Sequence, residues 1–305
     1  MARDLRFVPD GALVEVTCRT LHGRFLLRPS DKLAKLIVGI LARAARRYEV
    51  EICAYVFLSN HCHLLLLPKN AFHLARFMNY VNANVAKEAG RLHGWREKFW
   101  GRRYRAIVVS HEGAAQVARL TYLLEQGCKE GLVASPRHWP GANSVRAMST
   151  GSDPRGVWID RTGQWHARQR GERPNELRFT EREVLKLHPI PCWADLEAHQ
   201  VQARVRAMVH QIEAATEERH RVNGTAPLGV RAILEQSPHA RPDRVDRSPA
   251  PRFHAANRQA RLELLSAYSW FIAAYREASD VLRRGVRKAE FPTGCFPPPL
   301  AYVDT

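Results

Sequence analysis

The sequence lacks any pair of cysteines at the C-x-x-C spacing that zinc knuckles and thiol redox motifs use. Its six cysteines are scattered, and several lie in apolar runs, where a free thiol packs as a small hydrophobic side chain. We therefore expect reduced cysteines. The sequence also lacks an apolar run near the ~20 residues that cross a bilayer, and no apolar signal segment follows Met1. Together these absences predict a cytoplasmic protein without membrane contact.

Acidic residues are few compared with basic ones. The 305 residues include 30 Asp and Glu against 47 Lys and Arg, which gives a net charge of +17 and a pI near 10.2. A positive field of this size favours polyanions, and nucleic acid is the first partner to consider. A basic protein that is merely soluble would show the same charge, so a more specific signal has to come from motifs.

The first 130 residues alternate between the two kinds of secondary-structure pattern. β-branched and alternating apolar residues predict an opening strand within 11–27, strands over 49–58 and 61–67 joined by a tight turn at Ser59-Asn60, and a strand over 104–110. Apolar residues at helical spacing predict helices that begin at Asp31, at Ala71 and at Glu112. The order strand, helix, strand, strand, helix, strand is that of the ferredoxin-like split βαβ arrangement.

We therefore predict an α+β fold with a ferredoxin-like antiparallel sheet, two helices on one face, and a mainly helical C-terminal region. The predicted divisions are a sheet domain over 1–145, a linker or irregular arm over 146–176 and the helical region over 177–305. The arm is rich in Pro, Gly, Ser and Arg and has no periodicity. The helical region begins at the capping-box pattern Thr180-Glu181-Arg182-Glu183.

The tripeptide His61-Cys62-His63 lies inside an apolar run. Side chains alternate along a strand, so both histidines would project from one face while Cys62 points into the opposite packing layer. Two neighbouring imidazoles on a rigid strand form a preformed pair of metal ligands. The spacing alone favours two ordinary histidines at a half-exposed strand end, and the rest of the chain has to decide.

A second candidate is a basic stretch with interleaved aromatic residues. Cations bind phosphates, and aromatic faces stack on unpaired bases. A solvated helix end would explain the charges but not the tryptophans beside them. The residues we expect to bind DNA are Lys87, Arg91, Arg96, Lys98, Trp100, Arg102, Arg103, Tyr104 and Arg105.

Three segments resemble a known family. Asn60 to Leu65 resembles the His-hydrophobe-His strand of HUH single-strand nucleases, and Phe99 to Tyr104 resembles the aromatic, Gly-Arg-aromatic element before their fourth strand. Tyr122 to Gln126, followed by 131–133, resembles their tyrosine helix. The branch that is most similar is the REP-associated tyrosine transposases, relatives of the single-tyrosine insertion-sequence transposases. The resemblance covers residues 11 to about 145.

The resemblance implies an activity and a set of site residues. Tyr122 would be the nucleophile of a bacterial single-stranded DNA endonuclease and strand transferase that acts at palindromic hairpin DNA through a 5′-phosphotyrosine. His61 and His63 would bind the cofactor, Mg²⁺ or Mn²⁺, and Gln126 would be the third ligand. The chain would work as a monomer or a homodimer, since related insertion-sequence enzymes exchange tyrosines within dimers.

Two departures from the family pattern and two other hypotheses stay open at this point. Gln126-Gly127-Cys128-Lys129 stands where the family commonly has Asn-Pro-Val-Arg, and Ser59 stands where it usually has Pro. The first alternative is a domesticated, non-cleaving protein that binds hairpin DNA or structured RNA with the same basic face. The second is a metal-independent structural protein whose histidines are coincidental.

Overall fold

The computed structural model describes residues 5–243, 251–286 and 288–298, so parts of the predicted C-terminal region and of the predicted sheet domain lie outside the described residues. Within these ranges the fold is α+β, as predicted. The strands are β1 (Val14–Arg19), β2 (Val50–Phe57), β3 (His61–Pro68), β4 (Arg105–Val109), β5 (Arg155–Ile159), β6 (Thr180–Val184) and β7 (Phe253–His254). The α-helices are α1 (Asp31–Tyr48), α2 (Ala71–His93), α3 (Gly113–Leu124), α4 (Gln126–Lys129), α5 (Val145–Thr150), α6 (Arg161–Gln169), α7 (Ala198–Asn223), α8 (Val230–Glu235) and α9 (Arg258–Arg283).

The main sheet has the strand order β2-β3-β1-β4-β7. Its first four strands pair antiparallel, in the order that the predicted ferredoxin-like arrangement requires. The fifth strand, β7, pairs parallel with β4 at the sheet edge. This short strand comes from the C-terminal region, and the sequence patterns did not predict it.

Strand alternation divides the apolar residues into two cores, one on each face of the sheet. Cys62 and Leu64 point to the first core, where α1 and α2 cover the sheet. Leu65 points to the second core, which is built with α3, α5 and α7. His61 and His63 share the face of Leu65 because side chains two residues apart project the same way. The predicted opposite orientation of Cys62 is therefore confirmed.

The predicted turn at Ser59-Asn60 fixes the start of β3. The backbone N–H of Leu58 donates to the carbonyl of His61 at 2.8 Å, which closes the turn. The Asn60 side chain donates to the carbonyl of Gly23 at 3.2 Å, and the Thr20 N–H donates to the Asn60 carbonyl at 2.9 Å. These bonds hold the first histidine of the pair against the end of β1.

The helix predicted to begin at Glu112 is interrupted once. α3 ends at Leu124, Glu125 has φ −77° and ψ −8°, and the short α4 follows from Gln126. The chain then turns at Gly131, which has φ +66°. The interruption separates the helix that carries Tyr122 from the one that begins at Gln126.

Two predictions for the middle of the chain are wrong. The stretch predicted as an irregular arm contains α5, β5 and α6, and the segment predicted to begin a helix near Thr180 is β6, which pairs antiparallel with β5. Glu183 on β6 is buried and forms ion pairs with Arg43 at 3.1 Å and Arg46 at 2.8 Å on α1. The residues from Thr180 onward are types that favour the start of a helix, but pairing with β5 decides their conformation. Local sequence patterns do not report such tertiary pairing.

The C-terminal region is mainly helical, as predicted, with β6 and β7 as additions. α7 packs into the second core through Val205, Val209 and Ile212. α9 packs against β7 through an aromatic cluster of Phe7, Tyr268 and Phe271. Among the described residues, no helix is long and apolar enough to cross a membrane.

The contact between α1 and β5 depends on two glycines. A Cβ added at Gly39 would overlap the backbone of Val157, and one added at Gly156 would overlap the backbone of Gly39. Because backbone atoms cannot move aside as a flexible side chain can, we expect Gly39→Ala to lower the free energy of unfolding by about 1–3 kcal/mol. Urea denaturation measures this.

A matched control is Gly113→Ala. A Cβ at Gly113 would lie in ordinary contact with Cys192, at 3.6 Å from its Cβ, so this variant should keep the wild-type stability. Equal stability of the two variants would contradict the close packing of α1 on β5.

Candidate functional site

The histidine pair lies at the start of β3, which is paired with β1. His61 pairs with Arg19 and His63 pairs with Thr17 across the ladder. The two ring centroids are 5.2 Å apart with the rings nearly perpendicular. His61 is half-buried and His63 is buried, with 7% of its surface exposed. The structure therefore brings the two rings together on one face, as the sequence predicts.

Hydrogen bonds orient both rings. Nδ1 of His61 lies 2.6 Å from Oδ1 of Asn60, and Nδ1 of His63 lies 2.8 Å from Oε1 of Glu15. Both partners are oxygens that accept, so each Nδ1 carries the ring proton in the neutral form. The Nε2 atoms are left with lone pairs, which is the state in which imidazole binds a metal.

Gln126 approaches the pair from α4. It is almost completely buried, with 1% of its surface exposed, and its side-chain Nε2 donates to the carbonyl of Tyr122 at 2.9 Å. Its side chain also lies close enough to His61 to act on the pKa of that ring. Because the amide nitrogen is occupied by Tyr122, the amide oxygen is the atom that is left for the histidine side.

Tyr122 lies on α3 beside the histidines. Its ring centroid is 5.8 Å from that of His63, in an edge-to-face arrangement. Two cations flank the ring: the guanidinium carbon of Arg119 is 3.8 Å from the centroid and Nζ of Lys129 is 4.1 Å from it. Tyr122 is half-buried, so these neighbours cover only part of it. The two cations are placed where phosphate oxygens approaching this tyrosine would meet positive charge.

Glu15 links several of these groups and was not predicted from the sequence. Its carboxylate is 2% exposed and contacts His63, Arg119 at 3.0 Å and His254 at 2.8 Å. Burial by itself raises the pKa of this carboxyl, but hydrogen bonds from His254 and His63 and the charge of Arg119 hold it well below its usual range. Glu15 is therefore a carboxylate at neutral pH.

A weak signal for Glu15 exists in the sequence. It is a charged residue between the apolar Val14 and Val16, on the strand that pairs with the histidine strand. Such a residue is expected to have a buried partner. Nothing local indicated Arg119 or His254, since their roles depend on contacts across the fold.

Part of the basic stretch lies close to the histidine pair. Gly101 N–H donates to the carbonyl of Arg19 at 2.9 Å, which fixes the loop beside the β1 end that pairs with His61. Arg105 on β4 lies opposite Thr17, which in turn lies opposite His63. The exposed cations of the stretch are Lys87, Arg91, Arg96, Lys98, Arg102, Arg103 and Arg105.

Three residues of the stretch have structural partners. Arg91 forms an ion pair with Glu88 at 2.6 Å. Trp100 is half-buried against the first core, and its indole N–H donates to the carbonyl of Asn82 at 2.9 Å. Tyr104 is half-buried, and its hydroxyl accepts from Arg6 at 2.5 Å. The two aromatic residues therefore contribute to packing, and only part of each ring is left for a base.

The residues near His61 fit a divalent cation. Among the described residues there is no cluster of three or more His, Cys, Asp and Glu side chains that could hold a metal. The donor set available here is instead two Nε2 lone pairs and the Gln126 amide oxygen, all uncharged. Amide oxygen suits Mg²⁺ and Mn²⁺, while imidazole suits several transition metals. Uncharged ligands would leave the charge of the ion for phosphate oxygens to neutralise.

Comparison with known families gives a match over part of the chain. Residues 27–125 match the model of a family described as IS200-like transposases, and the resemblance indicated by the motifs is thereby confirmed for these residues. That family consists of transposases, which are enzymes that act on DNA. A comparison with curated proteins gives no match.

Two solved structures are similar to the chain. One is described as a REP-associated tyrosine transposase bound to a REP hairpin; its TM-score is 0.42 and its identity 18%, covering 50% of this chain and 89% of that one. The other is provisionally described as a transposase from Deinococcus radiodurans R1; its TM-score is 0.27 and its identity 17%, covering 39% of this chain and 93% of that one.

The environment of His61 leads to a pH prediction. Burial, together with the neighbouring His63 and Arg19, lowers the pKa of His61 from 6.5 to about 3. Because the unfolded chain binds this proton near 6.5, the contribution of His61 to stability is full above that value and is lost as the pH falls toward 3. NMR of the imidazole protons during acid titration should show the His61 ring changing only near the acid end.

If the His61 signals changed near pH 6.5 instead, the neutral state of this ring in the folded protein would be wrong.

Proposed function

We propose that this protein is a divalent-cation-dependent single-stranded DNA endonuclease and strand transferase that acts at palindromic hairpin DNA. The observation that carries the proposal is the convergence of Tyr122, His63 and Gln126. Their elements meet on one face of the sheet, with the tyrosine ring 5.8 Å from the histidine ring and the glutamine bonded to the tyrosine carbonyl. A nucleophile and a ligand set within reach of one phosphate are what phosphodiester cleavage needs.

In the proposed reaction the Tyr122 oxygen attacks the scissile phosphorus. The bond from phosphorus to the 3′ oxygen breaks, the phosphate stays on tyrosine as a 5′-phosphotyrosine, and the other strand end leaves as a 3′-hydroxyl. Attack by a second 3′-hydroxyl on the phosphotyrosine would reverse the bond changes and complete strand transfer. The covalent intermediate divides one difficult displacement into two easier ones.

Protein side chains would position the phosphate for this step. His61, His63 and Gln126 would hold a divalent cation, Mg²⁺ or Mn²⁺, which would supply charge stabilisation at the scissile phosphate. Arg119 and Lys129, on either side of Tyr122 in sequence, lie 3.8 and 4.1 Å from its ring and would contact the other phosphate oxygens. Asn60 and Glu15 hold the histidine rings in the orientation that leaves Nε2 free.

The basic stretch would hold the DNA beside the site. Its C-terminal part is tied to β1 through Gly101 and through Arg105, which lies opposite Thr17, and the net charge of +17 favours binding of a polyanion. Tyr122 lies against the histidines of its own chain, so one chain contains all the proposed groups and a monomer would suffice. We place the reaction in the bacterial cytoplasm.

The first experiment tests the nucleophile. Tyr122→Phe keeps the ring between Arg119, Lys129 and His63 but removes the attacking oxygen. We expect no covalent adduct with single-stranded oligonucleotides drawn from palindromes near the gene, in Mn²⁺, and nearly unchanged DNA affinity. Gel separation of the adduct and fluorescence anisotropy measure the two quantities.

Tyr48→Phe is the matched control, because Tyr48 is half-buried on the opposite side of the sheet against Tyr80. It should form the adduct as the wild type does. An adduct in the Tyr122→Phe variant would assign the nucleophile to another residue, and binding without any wild-type adduct would favour the non-cleaving binder.

The second experiment tests the cation. His61→Ala or His63→Ala should lower the cleavage rate by orders of magnitude, because the cation accounts for several kcal/mol of charge stabilisation. Cys62→Ala is the control between them: its side chain lies in the other core and contributes packing alone. Cleavage is measured in Mn²⁺ and in excess EDTA, and full activity in EDTA would remove the metal from the mechanism.

The third experiment tests the DNA path. Replacing Arg102, Arg103 and Arg105 together by Gln should weaken binding and flatten its salt dependence, since each lost phosphate contact lowers the log–log slope by roughly 0.7–0.9. The control is a triple Gln variant of Arg155, Arg168 and Arg182, which are exposed on β5, α6 and β6, outside the main sheet. Anisotropy titrations at several salt concentrations measure the slopes, with thermal melting as the check on folding. An unchanged slope in the first variant would place the DNA elsewhere.

A further inference from the structure

The C-terminal region extends to the proposed site through β7. This strand pairs Val109 with His254, and the N–H of Ser110 donates to the carbonyl of His254 at 2.8 Å. Phe253, next to it, packs edge to face with Phe7 and Tyr268 in the aromatic cluster of α9. The backbone of His254 is therefore held both by the sheet and by its neighbour, although it lies far beyond the segment that matches the transposase family.

His254 contacts the buried Glu15 carboxylate. Its Nε2 lies 2.8 Å from Oε2 of Glu15 and 2.9 Å from Nη1 of Arg119. A carboxylate can only accept hydrogen bonds, so Nε2 of His254 carries a proton and donates to Glu15. The other oxygen of the carboxylate, Oε1, accepts from His63. One buried carboxylate therefore connects β7 with β3 and, through Arg119, with α3.

The positions of three other groups depend on this carboxylate. Its contact with His63 fixes the ring proton on Nδ1 and leaves Nε2 facing the site. Its contact with Arg119 at 3.0 Å holds the guanidinium over the Tyr122 ring. Without His254, one lone pair of Oε2 would lose its hydrogen-bond donor, and the carboxylate could turn away from His63 or Arg119. Partners that orient metal-binding histidines commonly change metal affinity or activity 10–100-fold when they are removed.

We infer that His254, acting through Glu15, is a positioning residue of the proposed nuclease site. The C-terminal region then has a role in the site, because it supplies the donor that holds Glu15 against both His63 and Arg119. The inference rests on the proposed function for its effect on cleavage, but the arrangement itself can be tested without DNA or metal.

The experiment compares His254→Gln with His254→Asn in the full-length protein. The Gln amide nitrogen reaches about as far along the side chain as Nε2 of histidine, so Gln can still donate to Glu15. Asn is one methylene shorter and cannot. His254→Ala removes the donor entirely, and His210→Ala, on the exposed face of α7, is the matched control.

Two measurements are made on each variant. The first is the ¹H–¹⁵N spectrum of the imidazole rings without metal or DNA, with the His63 signals assigned from a His63→Gln variant. The second is the single-turnover rate of adduct formation as a function of oligonucleotide concentration in Mn²⁺. Thermal melting identifies any variant that does not fold. If the Ala variant does not fold, the comparison of the Gln variant with the Asn variant still tests the inference.

We expect the Ala and Asn variants to shift the His63 ring signals and to form the adduct about 10–100-fold more slowly. The loss should appear in the rate at saturating oligonucleotide, because His254 contacts Glu15 and Arg119 beside Tyr122 and not the basic stretch. The Gln variant should restore both the signals and the rate, and His210→Ala should match the wild type. His63 signals that are unchanged in the Ala and Asn variants, or a Gln variant no better than Asn, would overturn the inference.

The two proposals fail in different ways. If the wild type forms no adduct with any hairpin oligonucleotide, the proposed function is lost, while the His63 signals still decide the positioning role. If the wild type forms the adduct and the Ala and Asn variants form it equally fast, the positioning role is lost and the proposed function stands.

Discussion

A buried negative charge organises the candidate site. The Glu15 carboxylate is 2% exposed, and a charge in that environment is costly unless donors surround it. Its donors come from β3, α3 and β7, so satisfying one carboxylate requires three other elements to meet at one point. Each donor is also a group that the proposed chemistry needs or that holds such a group in place. The hydrogen bonds that offset the cost of burying this carboxylate are therefore the same contacts that set the geometry of the site.

The double-sided sheet makes this convergence possible. The face covered by α1 and α2 supplies a large apolar core that does not depend on the site. The other face packs against α3, α5 and α7 and also carries the polar groups Glu15, His61 and His63. The proposed chemistry therefore uses one face of the strands, while both faces contribute to the core. This division explains why Cys62 and its two histidine neighbours have different environments.

Gln126 links the tyrosine helix to the histidines. It follows Tyr122 by four positions, and α3 ends between the two residues at Leu124. The Gln126 side-chain N–H donates back to the Tyr122 carbonyl at 2.9 Å, so it provides a partner for a carbonyl near the end of α3. The amide oxygen is left for the histidine side. Local helix chemistry and the proposed cation site share this residue.

The sequence by itself determined the features that depend on spacing along the chain. Strand alternation places His61 and His63 on one face, the order of elements predicts the ferredoxin-like sheet, and three short motifs indicate the family that residues 27–125 match. Only the tertiary structure decided what surrounds these residues. Glu15 and His254 are 239 positions apart, and no local pattern reports a contact over such a separation. The β5 and β6 pair was missed for the same physical reason, since its conformation depends on partners in α1 that are distant in sequence.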